Sequence, residues 1–379
     1  MYHKFRKVFS DEESQRFPEP RHWDHAIDLL PEAPPTLNCK IYPLPEGQQQ
    51  ELDKFLDEHL CKGYIRRSNS PYASPFFFIK KKNGKLRPVQ DYRQLNTYTV
   101  KNTYPLPLIK ELITQLINKK WFTKLDIRWG YNNIRIKDGD QWKTAFKTNR
   151  GLFECMVMFF GLTNSPATFQ TMMDALFREE IAAGRVVIYM DDILIITESD
   201  NLNDHIKMVT KVLSILQDND LFLHLEKCHF HKREVEYLSI IVGNGQVKMD
   251  PIKVQGITDW PTPTTVRELR SILGFGNYYK AFIDNYSQIA HPLHELTRKN
   301  VQWEWGDAQG TAFNTLKDKF TSYPVLRNPD PTKRYIVDTD ASAFALGATI
   351  SQDFKDRRHP IAYFSKSLLP AEQNYDIYD

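Results

Sequence analysis

The stretch Arg185-Val-Val-Ile-Tyr-Met-Asp-Asp-Ile-Leu-Ile-Ile196 decides how the chain is read. Two short apolar runs, rich in Val, Ile and Tyr, flank the acids Asp191 and Asp192. Both runs read as buried strands, and the acids fall where the chain must turn. Two adjacent carboxylates on an apolar hairpin are unfavourable alone, because like charges repel and burial disfavours the ionised form. A divalent cation would reverse that balance. The alternative is an ordinary polar hairpin tip, where Asp is common. The doublet alone leaves both open.

Working outward, residues 120–137 supply a second acid in a similar setting. A strand is expected to end at Asp126, a tight segment with Gly130 follows, and Tyr131 sits just beyond. Asp126 by itself is as well explained as a turn or capping residue. It gains meaning only if the fold carries it to Asp191. Thr163-Asn-Ser-Pro166 predicts a helix start, with Ser or Asn capping and Pro in the first turn. Leu52, Phe55, Leu56 and Leu60 predict an amphipathic helix over 47–62 ended by Gly63, and 201–219 predict another.

Between Lys62 and Lys101 the chain holds ten Lys or Arg and one acid, Asp91. Asn83-Gly84 between two strand-like runs predicts a hairpin with Lys80, Lys81, Lys82, Lys85, Arg87 and Arg93 on or beside its arms. Edge-strand lysines also guard against aggregation, but charge this dense suits polyphosphate. Val235–Gly243 reads as one strand, turned at Asn244-Gly245 into Val247–Met249. Trp-Pro-Thr-Pro263 and Asn-Pro-Asp-Pro331 read as breaks, and Arg334–Val337 as a strand ahead of Asp338 and Asp340.

The 379 residues carry a net charge of only +3, so the total says little about partners. Cys39, Cys61, Cys155 and Cys228 form no C-x-x-C pair, so neither a zinc site nor a disulfide framework is indicated. His224, Cys228, His229 and His231 match no standard metal spacing. There is no secretory signal, and no apolar run approaches ~18 residues, so no membrane partner is expected.

Taken in order, these segments resemble the reverse transcriptase of gypsy-type (metavirus) long-terminal-repeat retrotransposons, fungal ones especially. The resemblance covers roughly residues 17–379. Trp23-Asp-His-Ala-Ile27 resembles the segment that follows the protease in such polyproteins, and Leu125–Tyr131 the first palm motif. Phe160–Gln170 resembles the template-positioning motif and Tyr189-Met-Asp-Asp192 the polymerase signature. Leu225–Cys228 and Glu236-Tyr-Leu238 are similar to the two motifs that follow. Trp260–Pro263, Leu273–Tyr279 and Trp303-Glu-Trp305 resemble thumb and connection. Thr339–Ser342 and Gly347–Gln352 resemble the opening of a ribonuclease H domain.

The resemblance implies an α+β right-hand polymerase with an incomplete ribonuclease H-like α/β unit. Its parts are an extended lead-in at 1–45, fingers and palm at 46–250, thumb and connection at 251–330, and the ribonuclease H part at 331–379. It implies RNA-directed, and also DNA-templated, DNA synthesis from dNTPs on a primer 3′-hydroxyl. RNA template, primer and RNA/DNA hybrid would be partners, with other parts of the Pol polyprotein. Asp126, Asp191 and Asp192 would be catalytic and hold two magnesium ions, manganese being the substitute. Lys81 (or Lys80 or Lys82) and Arg87 would close on the triphosphate. Tyr131 would be the steric gate, Phe160 and Gly161 would flank the incoming base, and Lys227 would be a general acid for pyrophosphate. Tyr237 and Leu238 would grip the primer, and Asp340 would be the first ribonuclease H acid. Location inside the cell, in a cytoplasmic particle or the nucleus, follows by the same analogy. The chain resembles a piece of a longer polyprotein, and no nuclease activity is expected from its single ribonuclease H acid. Two departures stand out: Ser239 where the family has Gly, and bulky Trp129 where it has a small residue. They keep open the alternative of a decayed element that only binds nucleic acid.

Overall fold

The structure is a computed structural model that describes residues 1–80, 84–322 and 325–374. The chain forms two compact units. One comprises Met1–Leu112 with Phe122–His231, the other Ile113–Trp121 with Lys232–Asp379.

The first unit is built on a four-stranded sheet, in the order His229–Lys232, Trp121–Asp126, Asp192–Thr197, Val186–Tyr189. Both faces of its central hairpin are buried. Val186, Ile188, Ile193 and Ile195 join one core cluster with Met172 and Met173 of helix Ser165–Leu176 and Val209, Val212, Leu213 and Leu216 of helix Leu202–Asp218. Val187, Leu194 and Ile196 alternate with them and are equally buried. That is why the hairpin reads as near-continuous apolar runs rather than as an alternating pattern. The long helix starts where Asn201 accepts a hydrogen bond from the Asn203 amide. At the other helix neither Ser165 nor Asn164 caps with its side chain. Asn164 instead bridges to the Asn102 amide and the Val100 carbonyl, so tertiary bonding overrides the expected cap.

The same unit holds a sheet in the order Leu37–Asn38, Tyr72–Lys80, Phe146–Thr148, Gly151–Cys155, Ile65–Arg67, with Leu86–Gln90 paired to Tyr72–Lys80. The expected helix runs Glu46–Cys61 and packs Leu52, Phe55 and Leu56 against Phe76, Phe146 and Phe153. Gly63 follows at φ +71°, the left-handed turn a Cβ would disfavour. The lead-in is not simply extended. His3–Phe9 and Glu13–Gln15 are 3-10 turns, and Phe5 and Val8 anchor the first of them in the main core.

The second unit contains a sheet in the order Glu234–Tyr237, Ile240–Gly243, Gln246–Met249, Val325–Arg327. Val235–Gly243 is therefore not one strand. It folds back at Leu238 (φ +49°) and Ser239 (φ +62°), and Tyr237 pairs with Ile240. An apolar run with no turn dipeptide concealed that break. Asn244 and Gly245, at φ +52° and +73°, make the expected two-residue turn. Helices Pro251–Thr258, Val266–Tyr279, Tyr286–Glu295 and Asp307–Thr321 follow, the second ending six residues earlier than its pattern predicts. The last sheet is Ile336–Ala341, Ala345–Asp353 and Arg358–Ser367. Among the described residues no helix is long and apolar enough to cross a membrane.

Candidate active site

Asp126 ends the strand Trp121–Asp126, and the next amide, that of Ile127, donates to the Asp191 carbonyl over 3.3 Å. The fold thus brings together the two acids the sequence could only suggest were neighbours. Tyr189 pairs with Asp192, leaving Met190 and Asp191 as the turn, with Met190 at φ +54°. A left-handed, non-glycine residue needs holding. The Oε1 of buried Gln170 does so, accepting the Met190 amide at 2.9 Å. Gly130 lets the adjoining loop approach: a Cβ there would lie 3.3 Å from Phe169 and 3.6 Å from the Asp191 Cβ.

Two lysines stand at the carboxylates. Lys227 Nζ is 3.1 Å from Asp126 Oδ1, and Lys124 Nζ is 3.6 Å from Asp192 Oδ1. Asp191 is exposed. Among the described residues no three acidic, His or Cys side chains are drawn close enough to form a ready metal cage. The donor set is nonetheless the hard-oxygen one that suits magnesium, and the lysine ammoniums already sit as cations on two of its members.

The Tyr131 ring packs tilted against that of Phe160, 4.9 Å away, and edge-on to that of Phe169, 5.6 Å away. Burial, with the Asp191 carboxylate adding to it, pushes the Tyr131 phenol up to about 12. Phe160 is 57% exposed and lies under the Arg87 guanidinium, 5.6 Å from its ring centroid. Gly161 sits at φ +105°, where a Cβ would come within 3.2 Å of the Gln90 carbonyl. Its carbonyl accepts from Asn96 Nδ2 at 2.7 Å. The strand partners Ile79 and Arg87 confirm the basic hairpin, while Lys81, Lys82 and Asn83 lie outside the described residues. Arg93 is turned back onto Asp91 by a two-nitrogen ion pair, so it does not share the open charge of the hairpin.

The profile of the family described as reverse transcriptase (RNA-dependent DNA polymerase) matches residues 79–242. That of an RNase H-like domain found in reverse transcriptase matches 305–379. Residues 79–242 thus match a reverse transcriptase domain and residues 305–379 an RNase H-like one. The chain is 35% identical over 381 aligned positions to the transposon Tf2-3 and Tf2-4 polyproteins of Schizosaccharomyces pombe, matching along 100% of its own length and 28% of theirs. It therefore spans little more than a quarter of the curated relatives it matches. Among solved structures it resembles a foamy viral protease-reverse transcriptase bound to an RNA/DNA hybrid. The TM-score is 0.81 at 23% identity, over 98% of this chain and 50% of that one. The same viral enzyme with double-stranded DNA gives 0.83, over 98% and 77%. The fold is that of a polymerase with an RNase H-like region.

Within this reverse transcriptase fold the remaining predicted residues divide. Tyr237 is fully buried. Leu238 and Ser239 form the turn beside it, their carbonyls accepting from the hydroxyls of Tyr278 and, at 2.8 Å, Tyr279. Trp129 does not crowd Tyr131. It is 48% exposed, at φ +53°, with Lys62 Nζ 5.9 Å from its ring. Asp340 is not at a strand end. It lies inside Ile336–Ala341, opposite Gly347, and is exposed. The strand begins later than its apolar start implied and runs on through both acids, because pairing to Ala345–Asp353 holds them. Sequence reasoning missed Gln170 and Lys124. Gln170 follows the expected helix start but carries no local sign that its amide reaches another segment. Lys124 is recognisable only through strand alternation, which puts it on the same face as Asp126.

Proposed function

We propose that this chain is an RNA-directed DNA polymerase, able also to copy DNA, that extends a primer 3′-hydroxyl with dNTPs. The observation that carries it is the bond from the Ile127 amide to the Asp191 carbonyl, which sets acids from two distant segments at the ends of the two central strands of a buried sheet. Asp126, Asp191 and Asp192 would hold two divalent ions, magnesium with manganese as the substitute. When bound, such ions supply the positive charge that serves the attacking and leaving oxygens.

The chain's own residues do the rest by positioning and charge. Arg87, with the lysines of its hairpin, binds the triphosphate. The Tyr131 ring, uncharged at any working pH, excludes a ribose 2′-hydroxyl. Phe160 and Gly161 flank the incoming base, and Arg87 over Phe160 supports that placement. Lys227 Nζ carries a proton that can pass to the departing pyrophosphate. Tyr237 and Leu238 seat the primer end. The partners are therefore template, primer, hybrid and dNTPs.

A second reading, a chain that binds nucleic acid without copying it, is favoured by the lysines neutralising Asp126 and Asp192. Extension of an oligo-dT primer on poly(rA) with dTTP and magnesium separates the two. Polymerisation that a chelator abolishes supports the first. Primer binding with incorporation at background supports the second.

A further inference from the structure

The second unit holds a basic cavity of about 490 Å³. Arg327, Arg357, Arg358 and His359 line it together with Gln246 and Tyr363, and no carboxylate is among its described lining residues. The cations come from two places in the sequence. Arg327 ends the strand Val325–Arg327 opposite Gln246; Arg357 directly precedes the strand Arg358–Ser367, which Arg358 and His359 open. Phe354 buttresses them. The Arg327 guanidinium lies 4.5 Å from its ring centroid, Lys333 Nζ 4.1 Å, and the His359 ring 5.5 Å edge-on. Arg327 Nη1 and His359 Nε2 are 3.5 Å apart. Nearby acids offset only part of this charge. Arg358 reaches Asp353 at 3.3 Å and Asp338 at 3.8 Å, and His359 reaches Asp356 at 2.7 Å. Arg357 is exposed and has no side-chain partner among the described residues.

Guanidinium groups converging on one cavity repel one another unless an anion joins them. Their planar donor forks match phosphate oxygens in pairs. Aromatic stacking holds Arg327 in place, so less side-chain freedom is lost when an anion arrives. We propose that this cavity binds the phosphodiester backbone of a nucleic-acid strand. The inference rests on the polymerase reading, which supplies the polyanion.

The test uses the full chain with Arg357→Ala and Arg357→Lys, a labelled RNA/DNA hybrid, and fluorescence anisotropy from 50 to 200 mM salt. Arg357→Ala should bind the hybrid several-fold more weakly, with a salt slope shallower by roughly 0.9, the value of one lost phosphate contact. Arg357→Lys should restore most of the slope, and turnover on saturating template should be unchanged in both. An unaltered slope in Arg357→Ala overturns the proposal while leaving primer extension by the wild type intact. A wild type that cannot extend primers, with the slope still shallower in Arg357→Ala, sinks the polymerase reading and leaves the site. A separate thermal-shift arm uses inorganic phosphate. Stabilisation lost in Arg357→Ala without any change in hybrid binding marks a site for free anions and also overturns the proposal.

Discussion

The ammonium of Lys227 lies 3.1 Å from a carboxylate oxygen of Asp126, joining the strand that ends at the first acid to the short turn Leu225–Lys227. The His224 amide donates to the Asp126 carbonyl at 3.0 Å and fixes that turn. A proton donor is thus tethered beside the acid edge. Lys227→Ala should lower the rate of nucleotide incorporation by roughly 10²-fold, the lower range for lost general-acid help, with template affinity little changed. Single-turnover kinetics checks this. A rate within twofold of wild type would leave Lys227 as a partner for Asp126 only.

Tyr131 packs between Phe160 and Phe169, and its hydroxyl reaches the Met190 sulfur at 3.8 Å. Removing the ring opens space next to the acids. Tyr131→Val should cut discrimination against ribonucleotides by at least about tenfold, the scale of a steric mismatch of a few atoms. Because burial raises the phenol's pKa to about 12, the ring stays neutral from pH 6 to 9 and wild-type discrimination should be flat over that range. Competition between dTTP and UTP at several pH values reads both effects.

Ser239 stands at φ +62°, directly after Leu238 at +49°. Left-handed backbone costs an ordinary L-residue about 1 kcal/mol or more, and glycine avoids most of it. The bonds that hold the turn use the Ser239 backbone: its amide to Glu236 Oε1 at 3.0 Å, and its carbonyl from Tyr279. Ser239→Gly should keep them and stabilise the chain by about 0.5–1 kcal/mol, read as a higher denaturant midpoint with unchanged m-value.

His25 is 1% exposed and its Nδ1 lies 2.9 Å from the Thr168 hydroxyl. Burial lowers its pKa to about 4, against an upward pull from Asp140. His205, between the hydroxyls of Thr123 and Thr197, is likewise lowered to about 4 by burial and then by His231. The unfolded chain therefore binds protons that the folded chain refuses. Stability is full above about pH 6.5 and falls as pH drops from there toward 4. For His25 the loss amounts to roughly 3 kcal/mol at most. Thermal midpoints between pH 7.5 and 4.5 should fall, and His25→Gln should flatten the fall.

The hairpin at Asp191, the helices around it and the Asn244-Gly245 turn were legible because each has a local cause: apolar runs, helical spacing of apolar residues, a turn dipeptide. What was not legible depends on distant segments. Gln170 fixing Met190, Asn164 leaving its cap for Val100 and Asn102, and the fold-back at Leu238-Ser239 all arise from contacts that no neighbouring residue announces. Trp129 shows the converse. Its bulk stood out in the sequence, but its backbone is left-handed and its ring is exposed beneath the Lys62 ammonium.

The central claim is that Asp126 and Asp191 act together at the end of one sheet. Primer extension by Asp191→Asn, purified beside the wild type with matching circular dichroism and hybrid affinity, tests it most directly. Incorporation at background in the variant and robust synthesis by the wild type is the predicted result. Equal synthesis by both would contradict the account.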